Sequence, residues 1–555
     1  MSPLCLMAQQ KVTINPSETY QTIEGFGAAD AWTTEYVSDF FPKSEKEKAA
    51  QWLFSTEMDA LGNPLGIGLS MWRVNIGAGS ATQSAEESNI SDETRRVECF
   101  LNADGTYDWT REDGQQWFMS KAKDYGVNHF ILFANSAPIY YTLNGKAVNN
   151  SGAETANLRQ DSYDDYAKFL ATVTKHFEDE GYGISYVSPL NEPSTDWTSG
   201  QEGSRWANAD IAHIAREIDK SFAAAGVKAK AIFSETDSWD KTTGGWGIAR
   251  NQMDQLFRKG SSDYIGDLSH VAKTFCAHDY WTFRTNDAMQ EARQTAREKA
   301  DNLGLDLQMS EWSMLDAAPD TSAGFPASYD AAQYIDISLY MAKLIQNDLR
   351  VANVTSWSFW TAMATEVWGQ KNRFYLLRLQ PYSGDYGSLR DGGTIASNTN
   401  LWVLGNFSRF IRPGYRRIGL SGADDMNGLY GSAFISPDRD KIVAVFVNTS
   451  KKRVETTISL SDADLRIASQ TRYQTSSSRY LKHLGQVGED YTPQVGFAAR
   501  TVTTLVYDLS SANGITQTKT APVTDNRYYT LSGMAVEKPL QPGIYVRGGR
   551  KVVVR

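Results

Sequence analysis

Cysteine and histidine are scarce in this chain of 555 residues, which contains three cysteines and six histidines. Cys5, Cys99 and Cys276 form no CxxC pair, so neither a disulfide framework nor a cysteine-built zinc site is expected. The sequence also has no HExxH motif, no P-loop and no dinucleotide-binding glycine fingerprint. We therefore expect the protein to use neither a metal nor a cofactor.

Long apolar runs and clusters of basic residues are also missing. No stretch of 18 apolar residues occurs, so no insertion into a membrane is predicted. The formal net charge is −10, from 65 acidic and 55 basic residues. This balance argues against nucleic acid and anionic membranes as partners. A neutral substrate suits it better.

Aromatic residues are abundant instead, with 15 tryptophans and 27 tyrosines. Most of these side chains are expected to fill the core, but aromatic rings also stack on sugars and bases. The composition therefore permits a carbohydrate-binding protein without requiring one.

The N-terminal residues MSPLCLMAQQ (1–10) look like the end of a signal peptide, because a short apolar run precedes Ala8 and two polar glutamines. The run lacks a charged segment before it and is too short for a whole signal. We interpret residues 1–10 as a signal-peptide remnant, with an ordinary terminal segment as the alternative. This interpretation predicts an exported protein, in the periplasm, at the cell surface or outside the cell.

Short β-rich runs alternate with segments of helical periodicity between residues 23 and 413. The helical segments include 165–181, 330–348 and 207–226, the last of which ends at a glycine, a usual helix stop. Eight such alternations predict a (β/α)₈ TIM barrel. A doubly wound sheet is the alternative, but the phosphate loop typical of that fold is missing. The eight runs are GFGAADAW (25–32), GLSMWRVNIG (68–77), HFILFANSAP (129–138), ISYVSPLNEP (184–193), AKAIFSETDS (229–238), HVAKTFCAHDYW (270–281), LQMSEWSML (307–315) and VTSWSFWTAM (354–363).

The pattern changes after the predicted barrel. Residues 414–510 contain short alternating runs separated by turn residues, which predict an all-β side domain, a β-sandwich. A separate strand at 11–22 precedes the barrel. A linker rich in serine, threonine and asparagine leads into a short β-rich C-terminal tail, and together they make up residues 511–555. The tail is too small for a core of its own.

Two barrel strands are predicted to end on a glutamate. Glu192, in SPLNEP, ends the fourth strand and Glu311, in QMSEWS, ends the seventh. Because the C-terminal ends of barrel strands surround one open face, these side chains are expected to face each other. A single strand-end glutamate is more often a salt-bridge partner or a helix cap, but the pair fits glycoside hydrolysis, which needs two carboxyl groups. A gap of roughly 5–5.5 Å predicts retention of configuration, and a wider gap predicts inversion.

The neighbours of the two glutamates indicate how their roles divide. Arg73 lies on an otherwise apolar strand and needs a carboxylate partner, for which Glu311 is the candidate. Such a pair would keep Glu311 ionised as the nucleophile and leave Glu192 protonated as the acid. The amide of Asn191 is placed to hold a sugar hydroxyl, and Pro193 is expected to mark where the strand stops.

Other acidic residues compete with this pair. Glu235 ends the fifth predicted strand, Asp279 ends the sixth, and Glu202 lies in the loop after the fourth. None of them combines the position with the sequence context of the two glutamates. We interpret all three as binding or supporting groups.

The sixth strand end is crowded by His278, Tyr280 and Trp281. A histidine there is either a satisfied structural group or a hydrogen-bonding partner of a sugar or of a catalytic carboxylate. Trp360, on the eighth strand, either fills the barrel or forms a stacking surface for a pyranose ring.

At these motifs the sequence resembles glycoside hydrolase family 30, the relatives of glucosylceramidase and of microbial β-1,6-galactanases, β-1,6-glucanases and xylanases. The last motif below is among the most specific for the family, whereas NEP occurs in several barrel families. The matching motifs are EGFGAADAW (24–32), RVNIGAG (73–79), FANSAP (133–138), LNEPSTDW (190–197), HDYW (278–281), SEWS (310–313) and LGNFSRFIRPGYRRI (404–418).

The resemblance implies a retaining β-glycosidase with Glu192 as acid/base and Glu311 as nucleophile. It also implies that the N-terminal strand joins the side domain, and that this domain packs against the barrel. With the motif positions added, the predicted substrate-binding residues are Arg73, Asn191, His278, Tyr280, Trp360, Asn135 and Trp32.

Within the family, NEPSTDWTSGQEG (191–203), FANSAPIYY (133–141) and TAMATEVWG (361–369) look most similar to endo-β-1,6-galactanases. Related enzymes often have aromatic residues where this chain has Ala137 and Ile139, so the walls of the cleft are expected to differ. The alternatives are a β-1,6-glucanase, a xylanase, a glucosylceramidase-type β-glucosidase, or a catalytically silent carbohydrate-binding protein. The partner in each case is a β-linked carbohydrate. The C-terminal tail resembles the ends of secreted Bacteroidetes proteins, which fits export.

Overall fold

The chain forms two compact units that divide between Leu509 and Ser510. The computed structural model describes residues 10–244, 247–488, 490–511, 527–530, 535–536, 542–547 and 550–554. Apart from Gln10, the predicted signal-peptide remnant lies outside the described residues. No helix within the described residues is long and apolar enough to span a membrane.

Eight parallel strands form the predicted TIM barrel in the first unit. Each strand pairs with its neighbour along the chain, the last pairs with the first, and a bridge between Ala29 and Arg73 links the first two. Every predicted run overlaps one of these strands, so the fold prediction is confirmed. The strands are β2 (Gly25–Ala28), β3 (Trp72–Asn75), β4 (Phe130–Phe133), β5 (Ile184–Ser188), β6 (Lys230–Thr236), β7 (Val271–His278), β8 (Asp306–Trp312) and β9 (Ser356–Phe359).

Helices follow the barrel strands, as the sequence periodicity predicts. The segments predicted at 165–181, 207–226 and 330–348 form α5, α6 and α10. Gly226 ends α6 in the left-handed conformation, at φ 67°, which glycine adopts without steric cost. The helices are α1 (Thr34–Phe40), α2 (Lys43–Phe54), α3 (Ala85–Ser88), α4 (Asp113–Asp124), α5 (Tyr163–Asp179), α6 (Asn208–Ala225), α7 (Trp239–Thr243), α8 (Gln252–Phe257), α9 (Asn286–Leu303), α10 (Tyr334–Asn347) and α11 (Thr399–Ser408).

A nine-stranded sheet forms the side domain of the same unit. Its first strand comes from the start of the chain and pairs antiparallel with β13 and parallel with β16. Some of its buried residues form an apolar cluster of their own, whereas others, such as Phe434, Val443 and Val445, belong to the same core cluster as the barrel. The strands are β1 (Gln10–Thr22), β13 (Arg416–Ser421), β14 (Leu429–Ile435), β15 (Lys441–Asn448), β16 (Val454–Leu460), β17 (Leu465–Ser476), β18 (Arg479–Val487), β19 (Gln494–Phe497) and β20 (Thr501–Ser511).

Two smaller sheets complete the described secondary structure. A three-stranded sheet after the barrel consists of β10 (Met363–Ala364), β11 (Leu377–Pro381) and β12 (Gly393–Ser397). The second unit contains an antiparallel sheet of β21 (Tyr528–Thr530), β22 (Ala535–Val536), β23 (Gly543–Arg547) and β24 (Arg550–Val554).

An apolar layer fills the interior of the barrel below its open end. Side chains on a strand alternate between its two faces, so Arg73 lies on the same face as Met71, one step nearer the open end. The same alternation places His278 above Cys276. The barrel therefore presents charged groups at its C-terminal face, above an apolar floor formed by Met71, Ile131, Ile232, Ala272 and Cys276.

The fourth barrel strand ends earlier than the sequence predicts. β5 stops at Ser188, so Glu192 lies in the following turn, with φ at 43°, rather than at the strand end. Pro189 is the reason, because it has no N–H to continue the ladder. The role assigned to Pro193 as the residue that ends the strand is therefore wrong.

Replacing Ile14 with alanine is expected to lower the free energy of unfolding by about 2–5 kcal/mol. Ile14 is 1% exposed and faces Leu420 and Leu460 on the two flanking strands. Replacement of the exposed Lys11 on the same strand is the control, with an expected change below about 0.5 kcal/mol. Denaturant unfolding measures both, and equal effects of the two changes would show that β1 is not part of the packed core.

Candidate active site

Arg73 and Glu311 form an ion pair at the open end of the barrel. Arg73 Nη1 lies 2.6 Å from Glu311 Oε2, so the predicted contact is confirmed. The Tyr280 hydroxyl donates to the other oxygen of the same carboxylate, over 3.0 Å. All three residues are at most 5% exposed. The Glu311 carboxylate is thus held by one donor on each oxygen, which fixes its orientation.

His278 joins Glu311 to two further glutamates. Its Nδ1 lies 3.0 Å from Glu192 Oε1 and 3.6 Å from Glu311 Oε1, and its Nε2 lies 3.2 Å from Glu235 Oε2. The imidazole is fully buried. The sequence left open whether His278 is a structural group or a hydrogen-bonding partner of a sugar or of a carboxylate. In the structure it contacts carboxylates. Glu192 and Glu311 each place an oxygen within 4.8 Å of the other.

The buried charges in this cluster fix each other's ionisation. Burial alone lowers the pKa of His278, but the carboxylates, Glu311 foremost, raise it to about 10. Burial likewise raises the pKa of Glu235, but Arg73 and then His278 reverse the effect and lower this pKa to about 2. Ser310 also donates a hydrogen bond to Glu235. His278 is therefore an imidazolium and Glu235 a carboxylate at neutral pH.

Aromatic rings surround the arginine on the side of the first, third and eighth barrel strands. The Arg73 guanidinium lies 3.9 Å from the Phe133 ring centroid and 5.9 Å from that of Trp360. Trp360 in turn makes an edge contact with Trp32, with ring centroids 5.1 Å apart. Both tryptophans are less than 10% exposed, so each presents only an edge or part of a face to solvent.

Two predicted asparagines carry polar atoms without protein partners. Asn135 is 1% exposed and Asn191 is 3% exposed. Both polar atoms of the Asn135 amide lack a hydrogen-bond partner among the described residues, and so does the Asn191 side-chain oxygen. Buried polar atoms are costly unless they are paired. A substrate rich in hydroxyl groups would supply such partners.

The competing acids Glu202 and Asp279 contact other groups than Glu192 and Glu311. Glu202 accepts hydrogen bonds from the backbone N–H groups of Ala78 and Ser80, over 2.9 and 3.1 Å, and so holds the loop after β3. Asp279 pairs with Arg293 on α9. Both residues stabilise elements that carry the site, which agrees with a supporting role.

A metal is a poor fit to this donor set. Glu192, His278 and Glu311 place one potential ligand atom each within 4.8 Å of one another. However, metal binding needs a neutral imidazole with a free nitrogen, and both ring nitrogens of His278 already lie within 3.2 Å of glutamate oxygens. Arg73 already neutralises the Glu311 carboxylate.

Sequence reasoning missed Phe133, Ser310 and Thr195. Phe133 is the last residue of β4 and pairs in register with Asn75, and Ser310 directly precedes Glu311. Thr195 donates from its hydroxyl to Glu192 Oε2, over 3.3 Å. The positions of the first two at predicted strand ends were a usable signal, whereas the Thr195 contact depends on how the turn after β5 folds.

The family comparison covers both parts of the first unit. The sequence model for O-Glycosyl hydrolase family 30 matches residues 9–370, and that for the Glycosyl hydrolase family 30 beta sandwich domain matches residues 414–504. The chain belongs to glycosyl hydrolase family 30. Its activity is accordingly that of an O-glycosyl hydrolase, and the family resemblance seen in the sequence is confirmed.

Individual relatives within the family are distant in sequence. The chain is 23% identical to an endo-beta-1,6-galactanase of Hypocrea rufa over 73% of this chain and 76% of that protein. It is 22% identical to glucuronoxylanase XynC of Bacillus subtilis (strain 168), over 86% of each. Among solved structures, a conserved exported protein from Bacteroides fragilis is 31% identical, with a TM-score of 0.81 over 90% of this chain and 100% of that one.

His278 is expected to carry two ring protons throughout the range from pH 5.5 to 8.5. Its folded pKa of about 10 exceeds the unfolded value of roughly 6.5. Its contribution to stability is therefore complete below about pH 6.5 and is lost as the pH rises to about 10. Nitrogen-15 NMR of the imidazoles measures the protonation, and a neutral His278 ring at pH 7 would contradict the charge arrangement.

The corresponding stability measurement compares wild type with His278→Gln. The difference between their unfolding midpoints should shrink between pH 6.5 and 10, because glutamine cannot titrate. A constant difference over this range would show that the His278 charge has no part in stability.

Proposed function

We propose that the protein is a retaining endo-β-1,6-galactanase that uses Glu192 as acid/base and Glu311 as nucleophile. The observation that supports the retaining mechanism is the closeness of the two carboxyl groups, each of which places one oxygen within 4.8 Å of an oxygen of the other. Retaining glycosidases place these groups about 5–5.5 Å apart, whereas inverting enzymes need about 6.5–9.5 Å to admit a water between them.

In the first step, Glu192 gives its proton to the glycosidic oxygen while a Glu311 oxygen attacks the anomeric carbon. The bond between that carbon and the leaving oxygen breaks, and a glycosyl ester forms on Glu311. In the second step, Glu192 takes a proton from a water that attacks the same carbon, and the ester bond breaks. Two inversions at one carbon give net retention.

The charges around His278 support this division of labour. Before the first step, Arg73 and His278 balance the carboxylates of Glu235 and Glu311, so a proton on Glu192 leaves the buried cluster neutral. After that step Glu311 is an uncharged ester and Glu192 is ionised. The negative charge has moved from one contact of His278 to another, 3.6 and 3.0 Å from Nδ1. The net buried charge is unchanged, which avoids a desolvation cost during the reaction.

The substrate assignment rests on similarity and on the polar groups of the site. The Hypocrea rufa relative is an endo-beta-1,6-galactanase, and the motifs around Glu192 resemble that group. The unpartnered amide atoms of Asn135 and Asn191 suit sugar hydroxyls, and the Trp360 ring suits a pyranose face. Because another relative is a glucuronoxylanase, xylan is the alternative substrate.

Export is part of the same proposal. A polysaccharide too large to enter a cell must be cut outside the cytoplasm. The apolar run at 1–10 and the similarity to an exported Bacteroides protein support this location.

Wild-type protein is expected to release oligosaccharides from β-1,6-galactan with retained β configuration. Product analysis on β-1,6-galactan, xylan, β-1,6-glucan and aryl β-glycosides identifies the sugar, and proton NMR of the first products reads the anomer. Glu311→Gln is expected to lower kcat at least about 1,000-fold, while exposed Glu180→Gln serves as the matched control. Initial α products, or substantial turnover by Glu311→Gln, would contradict the nucleophile assignment.

Glu192→Ala is expected to slow polysaccharide hydrolysis about 100- to 10,000-fold, since the sugar leaving group needs the proton. The dinitrophenyl group leaves without protonation, so the first step on dinitrophenyl glycosides should slow much less. Added azide should restore turnover of the dinitrophenyl substrate and yield a β-glycosyl azide, because a small anion attacks without a general base. Equal losses in the rate of the first step on both substrates would show that Glu192 is not the acid.

A further inference from the structure

Glu235 is a third carboxyl group in a site whose reaction uses two. Double displacement needs one carboxyl group as acid/base and one as nucleophile, and Glu192 and Glu311 fill these roles in the proposed mechanism. Glu235 is nevertheless fully buried, near the end of β6. Burying a carboxylate is costly unless it is paired, and the two catalytic roles leave this third one without a function.

Each oxygen of the Glu235 carboxylate faces one of the two cations of the site. Oε2 lies 3.2 Å from His278 Nε2, and Oε1 lies 3.6 Å from Arg73 Nη2. The same cations contact the catalytic pair with their other nitrogens. His278 Nδ1 lies 3.0 Å from Glu192 Oε1, and Arg73 Nη1 lies 2.6 Å from Glu311 Oε2. Glu235 is therefore coupled to both catalytic carboxyl groups through the cations that they share.

The main chain of Glu235 also holds the turn that carries the acid. The Glu192 N–H donates to the Glu235 carbonyl oxygen over 2.9 Å. Glu192 and Glu235 have positive φ, 43° and 53°, a region that residues other than glycine adopt at a steric cost, and the bond helps to hold them there. Because main-chain atoms form this bond, it remains available when the Glu235 side chain is replaced. Side-chain variants therefore test the carboxylate separately from the turn.

The other titratable groups around the cluster do not replace the charge of Glu235. Asp237, at the end of the same strand, pairs with Lys241 on α7 over 2.5 Å. Burial raises the pKa of Asp316, on the loop after β8, to about 6, and this residue is unchanged in all the variants compared below. Burial raises the pKa of three further neighbours enough to keep them uncharged at neutral pH, namely the phenol of Tyr280, the thiol of Cys276 and the carboxyl group of Asp30.

The number of charges in the cluster decides where the proton resides. Arg73 and His278 face three carboxyl groups, so the buried cluster is neutral only while one carboxyl group keeps a proton. Without the Glu235 charge, the same two cations balance Glu192 and Glu311 when both are ionised. The proton then leaves at a lower pH, because no unbalanced negative charge opposes its loss.

We propose that Glu235 is a positioning residue that keeps the catalytic proton on Glu192 and acts through the two cations, without touching the substrate. This inference rests on the proposed function of the Glu192 and Glu311 pair. The negative charge of Glu235 offsets the cations, which otherwise favour the ionised form of Glu192. Hydrogen bonds from His278 and Ser310 hold Glu235 itself ionised, so the proton resides on Glu192 rather than on Glu235.

The test is the pH dependence of kcat/KM for wild type, Glu235→Gln and Glu235→Asp in the full chain. Glutamine keeps the shape of the side chain and removes its charge, whereas aspartate keeps the charge on a shorter side chain. One substrate is a β-1,6-galactan oligosaccharide, whose departing sugar needs a proton, and the other is the dinitrophenyl glycoside of the same sugar, which needs none. If wild type prefers another sugar, the matching pair replaces them. Exposed Glu180→Gln is the control.

On the oligosaccharide, the fall of kcat/KM at high pH marks the loss of the proton from the acid. Glu235→Gln is expected to move this fall to lower pH by about one unit or more, whereas Glu235→Asp and the control should leave it within about 0.3 units of wild type. The dinitrophenyl glycoside should not show the shift. A loss of rate at every pH with an unmoved fall, or an equal shift in Glu235→Asp, would overturn the proposal.

Carbon-13 NMR of the glutamate carboxyl groups in wild type tests the same charge without turnover, with Glu192→Gln to assign the signals. Glu235 is expected to ionise at a lower pH than Glu192, and the reverse order would overturn the proposal whether or not Glu235→Gln folds. A wild type that hydrolyses none of the sugars contradicts the proposed function instead. The order of ionisation then shows separately whether Glu235 keeps the proton on Glu192.

Discussion

The contact of His278 with three carboxyl groups is the interaction on which the site depends. One buried imidazolium touches Glu192, Glu235 and Glu311 within 3.0 to 3.6 Å, and Arg73 supplies the second positive charge. Buried charges are tolerated only when they are paired and hydrogen-bonded. Without these two cations, the carboxyl groups that glycoside hydrolysis needs would repel each other and take up protons.

The barrel makes this concentration of charge possible. Its eight strands are parallel and end on one face, so residues far apart in the chain meet there. Arg73 and Glu311 lie 238 positions apart along the sequence and 2.6 Å apart in space. The apolar floor beneath them lowers the local polarity, which strengthens each electrostatic contact. The same apolar environment that makes these charges costly to bury also strengthens their effect on any charge that moves within the site.

The aromatic residues at the open end of the barrel differ in their exposure. Trp360 and Trp32 are largely buried beside Arg73, and the Asn135 amide lacks a protein hydrogen-bond partner among the described residues. Trp281 exposes its ring, and its backbone N–H donates to Asp316.

The sequence by itself determined the barrel, its side domain and the two glutamates at its open face. Strand and helix periodicity are local properties, and a ring of eight such units has a single open catalytic end. The ion pair between Arg73 and Glu311 was also predictable, because an arginine on an apolar strand must find a carboxylate.

Only the tertiary structure decided the rest. Pro189, rather than Pro193, ends the fourth strand and places Glu192 in a turn, since pairing stops where the first N–H is missing. The ionisation of His278 and Glu235, the pairing of Asp279 with Arg293 and the exposure of Trp281 all depend on how separate elements of the fold approach each other. Charges and solvent act through space, so a residue's neighbours along the chain do not reveal them.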